Sequence, residues 1–326
     1  MEVDMVQAGN EGEILGIQLV DDQLRIVEGR KFPDGVFEIT HIAQGRTRNP
    51  FNFEALTEQN MPRRFAEDIT RLCESQSFDS TKVAFSLDSR MVMLKKLALD
   101  AKLESDLVEE QVNWEVKQFA TSSPGDYVID FEKLENGANG DFDNMLIVVV
   151  RKRIIRFLKA VFKHTDLELG CVDVDVFSAQ RALHLNYDYH GDEKICLINI
   201  EEQKLHFSIM KGRNFYLAQD VVVGQSNNTL DISSESRTRL ISKELCRIML
   251  DNQLGKGVED LHEIYLYGEA VEDDVVESLR KNYNVRVERA DPFRKVKIVA
   301  EAKDEIGESR SERYMISVGA ALGAIH

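Results

Sequence analysis

One local pattern occurs twice and restricts the fold more than any other feature of the chain. An apolar run carrying a single amide (Gln18 within 17–20, Asn199 within 198–200) meets a tight acidic turn, Asp21-Asp22 in one copy and Glu201-Glu202 in the other. An alternating strand follows (24–30 and 205–211), then a Gly-Arg pair, Gly29-Arg30 or Gly212-Arg213, and a third strand (36–42 and 214–221). Alternation of period two marks a half-buried strand, and short turns between such runs make an antiparallel meander. The copies lie 181 positions apart, from Ile17 to Ile198. Two hairpins can look alike by chance, but here the amide, the acidic turn and the Gly-Arg pair coincide as well. Two related halves, each opening with a meander, is the architecture this predicts.

Between the meanders the period changes. Residues 54–76 read as a helix, with Phe65, Ile69 and Leu72 at helical spacing. Strands are predicted at 82–87 and 91–99, around the turn Asp88-Ser89-Arg90, and a helix at 105–119 with Val108, Val112, Val116 and Phe119 on one face. A strand at 126–134, a turn-rich run at 135–140, a buried strand at 145–150 and a helix at 151–164 complete a β-β-α-β-β-α unit. That unit, residues 80–166, reads as a small domain inserted into the first half. A strand at 171–176 and a helix at 177–187 return to the first half. The second half continues with a helix at 234–254, a strand at 263–267, a helix at 271–283 and a short strand at 286–288. A polar loop at 297–310 then precedes a closing helix at 311–323. Strands interleaved with helices in both halves give an α/β class. The expected domains are a polar tail 1–12, a first lobe 13–79 with 167–191 and 311–326, the insert 80–166, and a second lobe 192–310.

Composition excludes several functions. With 41 basic and 57 acidic residues among 326, the net charge is −16, the wrong sign for displacing counterions from nucleic acid over a whole surface. The length suits about two domains of ~150 residues. No apolar run reaches the ~20 residues of a membrane-spanning helix, the longest candidates being 145–150 and 314–325. The acidic N-terminus is not a secretory signal. Cys73, Cys171, Cys196 and Cys246 form no C-x-x-C pair, and three of them, in apolar patterns, read as buried thiols in a reducing compartment. The sequon at 227–229 then reads as incidental, and the cytoplasm is the expected address. None of the seven histidines shows ligand spacing, and no P-loop, dinucleotide fingerprint, H-E-x-x-H pair or nucleophile elbow occurs.

Several segments carry a resemblance. Trp114-Glu115-Val116-Lys117-Gln118-Phe119, the run 170–182, Ile264-Tyr265-Leu266-Tyr267-Gly268, Asn284-Val285-Arg286-Val287 with Asp291-Pro292-Phe293, and the closing Ser317-Val318-Gly319-Ala320-Ala321-Leu322-Gly323-Ala324 resemble the PilM family of type IV pilus assembly proteins. The likeness covers roughly residues 13–325 and lies in the FtsA and PilM branch of the actin-like superfamily. It implies a two-lobed actin-like (RNase H-like) fold with an inserted 1C-type α+β subdomain.

In that superfamily ATP lies between the halves, cradled by glycine and hydroxyl residues of each meander turn, with an aspartate near each turn holding magnesium and its waters. Phosphates need close backbone N–H groups and no extra anions, and the metal needs charged oxygen ligands. Transferred onto this chain, every such position is altered. Gln18 stands for the first aspartate, Val20 for the glycine, and Asp21 and Asp22 for small polar residues. Asn199 replaces the second aspartate, Glu201 its glycine and Glu202 a small residue. After Gly268 the second glycine of the adenosine motif is missing, with Glu269 and Ala270 there instead, while Arg25 stands where the family has lysine. A like-charge contact at ~4 Å costs about 4 kcal/mol at an effective dielectric of ~20, so four carboxylates around a triphosphate would make a poor site. The expectation is a pseudo-ATPase that binds no ATP, or binds it without hydrolysis, and needs no cofactor. ATP with magnesium is the alternative, should a metal or lysine side chains compensate or the register be off by a turn. Asp173 and Asp175 alternate and resemble a paired-carboxylate site; the simpler expectation is that one caps the helix from 177.

One basic cluster stands against the acidic background: Arg151, Lys152, Arg153, Arg156, Lys159 and Lys163, a candidate face for a partner or membrane. The alternative is an ordinary solvated helix face. The resemblance implies that a bitopic membrane protein of PilN type supplies a cytoplasmic N-terminal peptide, held in a groove between the first-lobe core and the insert. Residues 83–87, 105–119 and 151–163 are where that groove is expected. The expected role is a cytoplasmic scaffold, peripheral at the inner membrane, in a type IV pilus or type II secretion-like assembly platform, with no nucleic acid partner and homo-oligomerisation left open. A nucleotide-switched PilM-like ATPase and an FtsA-like filament-forming adaptor are the alternatives. Against the latter, the sequence ends at His326 just after the closing helix, without an amphipathic tail.

Overall fold

A computed structural model of the chain describes residues 12–134, 142–223, 233–306 and 310–324. The polar tail up to residue 11, the turn-rich run at 135–140 and the sequon at 227–229 lie outside the described residues. The elements, in order, are β1 (Ile14–Lys31), β2 (Phe37–Phe51), α1 (Met61–Gln76), β3 (Lys82–Leu87), β4 (Val92–Asp100), α2 (Ser105–Phe119), β5 (Tyr127–Lys133), β6 (Phe142–Arg151), α3 (Lys152–Phe162), β7 (Glu168–Val174) and α4 (Asp175–Asn186). There follow β8 (Lys194–Ile200), β9 (Lys204–Lys211), β10 (Asn214–Val222), α5 (Ser234–Asp251), β11 (Glu263–Tyr267), α6 (Asp273–Asn282), β12 (Arg286–Arg289), β13 (Lys297–Ile298), α7 (Ala300–Ile306) and α8 (Met315–Gly323). They form two compact units, one of residues 1–182, 295–309 and 316–326, the other of residues 183–294 and 310–315.

The first unit is built on a five-stranded sheet of order β13-β2-β1-β3-β7. β1 changes neighbour along its length: Leu15 to Gln18 pair in parallel with Val83 to Ser86 of β3, whereas Gln23 to Lys31 pair antiparallel with β2. The expected strand-turn-strand is present: both arms lie within β1 and fold back on each other at Asp21, where φ is +51°, so that Arg30 Nη1 comes within 3.1 Å of Glu13 Oε1. Apolar residues of β1 and β3 (Ile17, Leu19, Leu24, Phe85) meet Phe65 and Ile69 of α1 and Phe157, Leu158 and Phe162 of α3 in one core. Each such side chain contributes about 1.5–3 kcal/mol by burial, so this cluster dominates the unit's stability. Its consequence for topology is a correction: β3 is an interior strand of the main sheet, and α3 packs on α1. The sequence pattern alone had grouped both with the insert.

The closing helix explains its small residues. A Cβ at Gly319 would lie 1.7 Å from the carbonyl oxygen of Ser178, so α8 approaches α4 at a distance only glycine allows. The segment expected as a polar loop at 297–310 instead holds β13, which pairs in parallel with β2, and α7, which contacts the same strand.

The insert is smaller than expected and consists of β4, α2, β5 and β6, with sheet order β4-β6-β5 and both pairings antiparallel. One face of α2 (Val112, Val116) packs on Tyr127, Ile147 and Val149. Its bounds agree with the predicted 105–119 because the apolar spacing of that face is helical throughout.

The second unit repeats the design with the order β10-β9-β8-β11-β12. If β1 is counted as its two pairing segments, the first unit shows the same order before β13 is added at its edge. Ile198, Phe207, Ile241, Leu245, Ile264, Val275 and Leu279 share its core. Ser233 caps α5 by accepting from the Ser236 N–H (3.3 Å), and α6 carries acids in its first turn and bases in its last, as the helix dipole favours. Among the cysteines only Cys196 is buried; Cys73 and Cys171 are half-buried and Cys246 is exposed. Burial pushes the Cys73 thiol up to about 12, which leaves it an inert protonated thiol at neutral pH.

Candidate functional site

The two altered turns sit one in each unit. In the first unit, Gln18 is 2% exposed on β1, opposite Ser86 of β3, and its Oε1 has no hydrogen-bond partner among the described residues. Val20 and Arg25 are buried as well. The left-handed position falls on Asp21, one residue beyond Val20, where the resemblance puts the glycine. Aspartate tolerates that region better than most residues, which permits the substitution.

Neither acid of this turn is uncompensated. Arg90 donates to Asp21 Oδ1 at 3.0 Å and, through Nε and Nη2, to Asp88 at 2.8 and 2.6 Å. Burial opposes the charge of the guanidinium, but the hydrogen bonds and charges of Asp88, and then Asp21, outweigh it and raise its pKa further. Asp22 has Arg46 at 3.4 Å and accepts from Gln23 Nε2 at 3.2 Å. The picture of bare carboxylates is therefore revised: arginines occupy the space beside them, and an incoming phosphate would have to compete with existing ion pairs.

In the second unit, β8 brings Asn199 (2% exposed) and Glu201 (6% exposed) to the end of the sheet, while Glu202 is exposed. β11 delivers Gly268 to the same place. Its φ is +109°, and a Cβ there would lie 2.2 Å from Asn199 Oδ1 and 3.1 Å from Glu201 Oε1. The chain's own side chains thus fill the room that glycine leaves. Asn199 Oδ1 has no hydrogen-bond partner among the described residues. Beyond Gly268 the backbone is pinned, since the Ala270 N–H donates to the Ile200 carbonyl at 2.9 Å. Glu269 has Arg313 Nε at 3.6 Å. Asn199, Glu201 and Gly268 meet at the end of the second sheet, and Arg46, Arg90 and Arg313 were not among the candidates read from the sequence.

Asp173 and Asp175 do not form a carboxylate pair. Asp173 accepts from the Ser178 hydroxyl and the Arg181 guanidinium, and Arg181 Nε donates to the Gly319 carbonyl at 3.2 Å. Asp175 opens α4 and accepts from the Val176 N–H at 2.7 Å, so α4 starts two residues earlier than predicted. Asp173 thus joins β7 to α4 and, through Arg181, to α8.

The six basic residues around α3 divide. Arg151 turns toward the insert, donating to Thr121 Oγ1 at 2.8 Å with its guanidinium 5.7 Å from the Tyr127 ring centre. Arg153, Arg156, Lys159 and Lys163 are exposed, and Lys152 is half-buried. On α2, the face away from the insert's core exposes Leu107 (46%) and Trp114 (52%) beside a shallow depression also lined by Leu103 and Gln111. The quoted Trp114 motif was the only signal of that face in the sequence.

Twice-repeated strand order with a small insert in the first unit defines an actin-like fold. The profile of the family described as "Type IV pilus assembly protein PilM" matches residues 16–238. The chain belongs to that family. Among solved structures it is similar to a chain of the "PilM-PilN type IV pilus biogenesis complex", with 17% identity, a TM-score of 0.78, and coverage of 97% of this chain and 100% of that one. A Bacteroides thetaiotaomicron protein with an actin-like ATPase fold aligns at 11% identity and TM-score 0.48, over 93% of this chain and 95% of that one. The cytoplasmic domain of EpsL, an inner-membrane component of the Vibrio cholerae type II secretion system, aligns at 11% identity and TM-score 0.46, over 93% and 98%. A search of curated protein sequences finds no significant match.

Proposed function

We propose that this chain is a cytoplasmic scaffold of a type IV pilus assembly platform, held peripherally at the inner membrane by the N-terminal peptide of a PilN-like bitopic protein, and that it works without ATP. Membership of the PilM family carries this reading, and the similar structure is of a complex between PilM and PilN. No helix among the described residues is long and apolar enough to cross a membrane. β3, within the expected groove, is paired on both sides and buried, so its backbone has no free edge for a peptide. Among the described residues β4 pairs only with β6, and its residues Val92 to Leu97 are half-buried, so we assign the peptide to that open edge.

Two measurements test the reading. Hydrogen exchange with and without a peptide of the partner's cytoplasmic N-terminus is expected to show new protection in β4; a complex that leaves β4 amides unchanged would overturn the assignment. Equilibrium dialysis with labelled ATP and magnesium is expected to show no saturable binding, because Arg46 and Arg90 pair with the acids of the first turn and Asn199 and Glu201 fill the space beside Gly268. The second reading, a nucleotide-switched ATPase, draws on the buried oxygens of Gln18 and Asn199, which have no hydrogen-bond partner among the described residues and stand where the resemblance puts the family's magnesium-linked aspartates. Saturable binding that weakens in Gln18→Leu would favour it.

A further inference from the structure

One stretch without acids is longer than any other in this acidic chain. From Asp143 to Asp166 no aspartate or glutamate intervenes, although the chain holds 57 of them, and six of the residues between are Arg or Lys. Most of that stretch is β6 and α3. Lys152, Arg156, Lys159 and Lys163 recur at i, i+4, i+7 and i+11 and so share one stripe of the helix, while Ile154, Phe157, Leu158 and Val161 face the core. Arg153 flanks the stripe, its guanidinium 5.4 Å from the ring centre of Phe53, which is 42% exposed. None of these five cations forms an ion pair among the described residues, whereas most arginines elsewhere in the first unit do.

We infer that the outward stripe of α3, with Phe53 at its end, docks on the anionic headgroups of a phospholipid bilayer. The argument is chemical. Like charges along one helix repel, so the arrangement is unfavourable unless an anionic surface satisfies it. Long Lys and Arg side chains reach a planar surface readily, and an aromatic ring beside them suits the headgroup level, where one side is wet and the other apolar. The outward face of a helix is convex, which fits a plane better than an acidic peptide, for which a groove would be the natural complement. The stripe also goes beyond the proposed partner: the peptide would tether the chain, and the cations would orient its first unit against the lipid. They form no apolar anchor, so binding should be weak and governed by screening.

Co-sedimentation of the full chain with vesicles tests this. With about 30% phosphatidylglycerol in phosphatidylcholine, the wild type is expected to pellet at about 0.05 M NaCl and to be released at about 0.5 M. Pure phosphatidylcholine should retain none. Replacing Lys152, Arg156, Lys159 and Lys163 together by Gln is expected to weaken binding on the order of a hundredfold, since each cation near an anionic surface adds several-fold. The pair Lys159→Gln and Lys163→Gln, which leaves the start of the helix untouched, should give an intermediate loss and serves if the quadruple variant folds poorly. Absence of pelleting by the wild type, or equal pelleting by the variants, would overturn the inference. Tighter binding to polyglutamate than to the acidic vesicles would overturn it in favour of an acidic protein segment. Titration of the partner peptide into the same variants separates the two proposals, because its affinity should be unchanged when vesicle binding is lost.

Discussion

Glu28 is wholly buried on β1 and is held by four groups from elsewhere in the first unit. The Asp79 and Ser80 N–H groups donate at 2.9 and 2.6 Å, the Thr40 hydroxyl donates at 2.7 Å, and His41 Nδ1 stands 2.6 Å away. Removing the acceptor strands these donors, so Glu28→Ala is expected to lower unfolding free energy by about 3 kcal/mol, read from the urea midpoint. In the second unit, Asp220 lies 2.7 Å from His206 Nδ1 and 3.2 Å from Lys204 Nζ. Burial works against its charge, but hydrogen bonds and charges from His206 and then Lys204 prevail and hold the carboxyl below its usual range. A lowered carboxyl pKa contributes stability above the unfolded value and loses it as pH falls through the folded one. The stability gap between wild type and Asp220→Asn should therefore be widest at neutral pH and close below about pH 4, measured by urea unfolding across that window. At this scale the sequence is legible only where partners are near neighbours. Asp21 meets Arg90 across 69 positions and Asp22 meets Arg46 across 24, and no spacing rule ties such pairs together.

Elements whose periodicity is internal were legible: α2 and the strands of both meanders follow from their own apolar spacing. Where membership depends on what an element packs against, the pattern was silent. The apolar face of α3 looks the same whether it covers the insert or α1, and a short apolar strand such as β3 carries no mark of its sheet. β13, with two residues, is too short to alternate at all. The small residues of α8 were read as resemblance and prove to be a packing requirement. Gly319→Val would drive a side chain into the Ser178 carbonyl, so a loss of about 3 kcal/mol is expected, with the thermal midpoint falling accordingly. Ala324→Gly, beyond the helix, is the matched control and should be close to neutral.

The molecule has a separate hydrophobic core in each unit, so it should not unfold in one step. Scanning calorimetry is expected to resolve two transitions, with Glu28→Ala lowering one and Asp220→Asn the other; a single transition displaced by both variants would contradict this. The two units also differ in how the chain assembles them. The second is nearly contiguous, whereas the first takes β13, α7 and most of α8 from beyond residue 294. During synthesis both units therefore wait for late residues: the sheet begun at the N-terminus for β13 and its covering helix, and the second unit for residues 310–315. A ribosome that stalls after residue 294 would leave a nascent chain with neither unit finished and both open to chaperones, and a single late truncation would remove the earlier-made half from service.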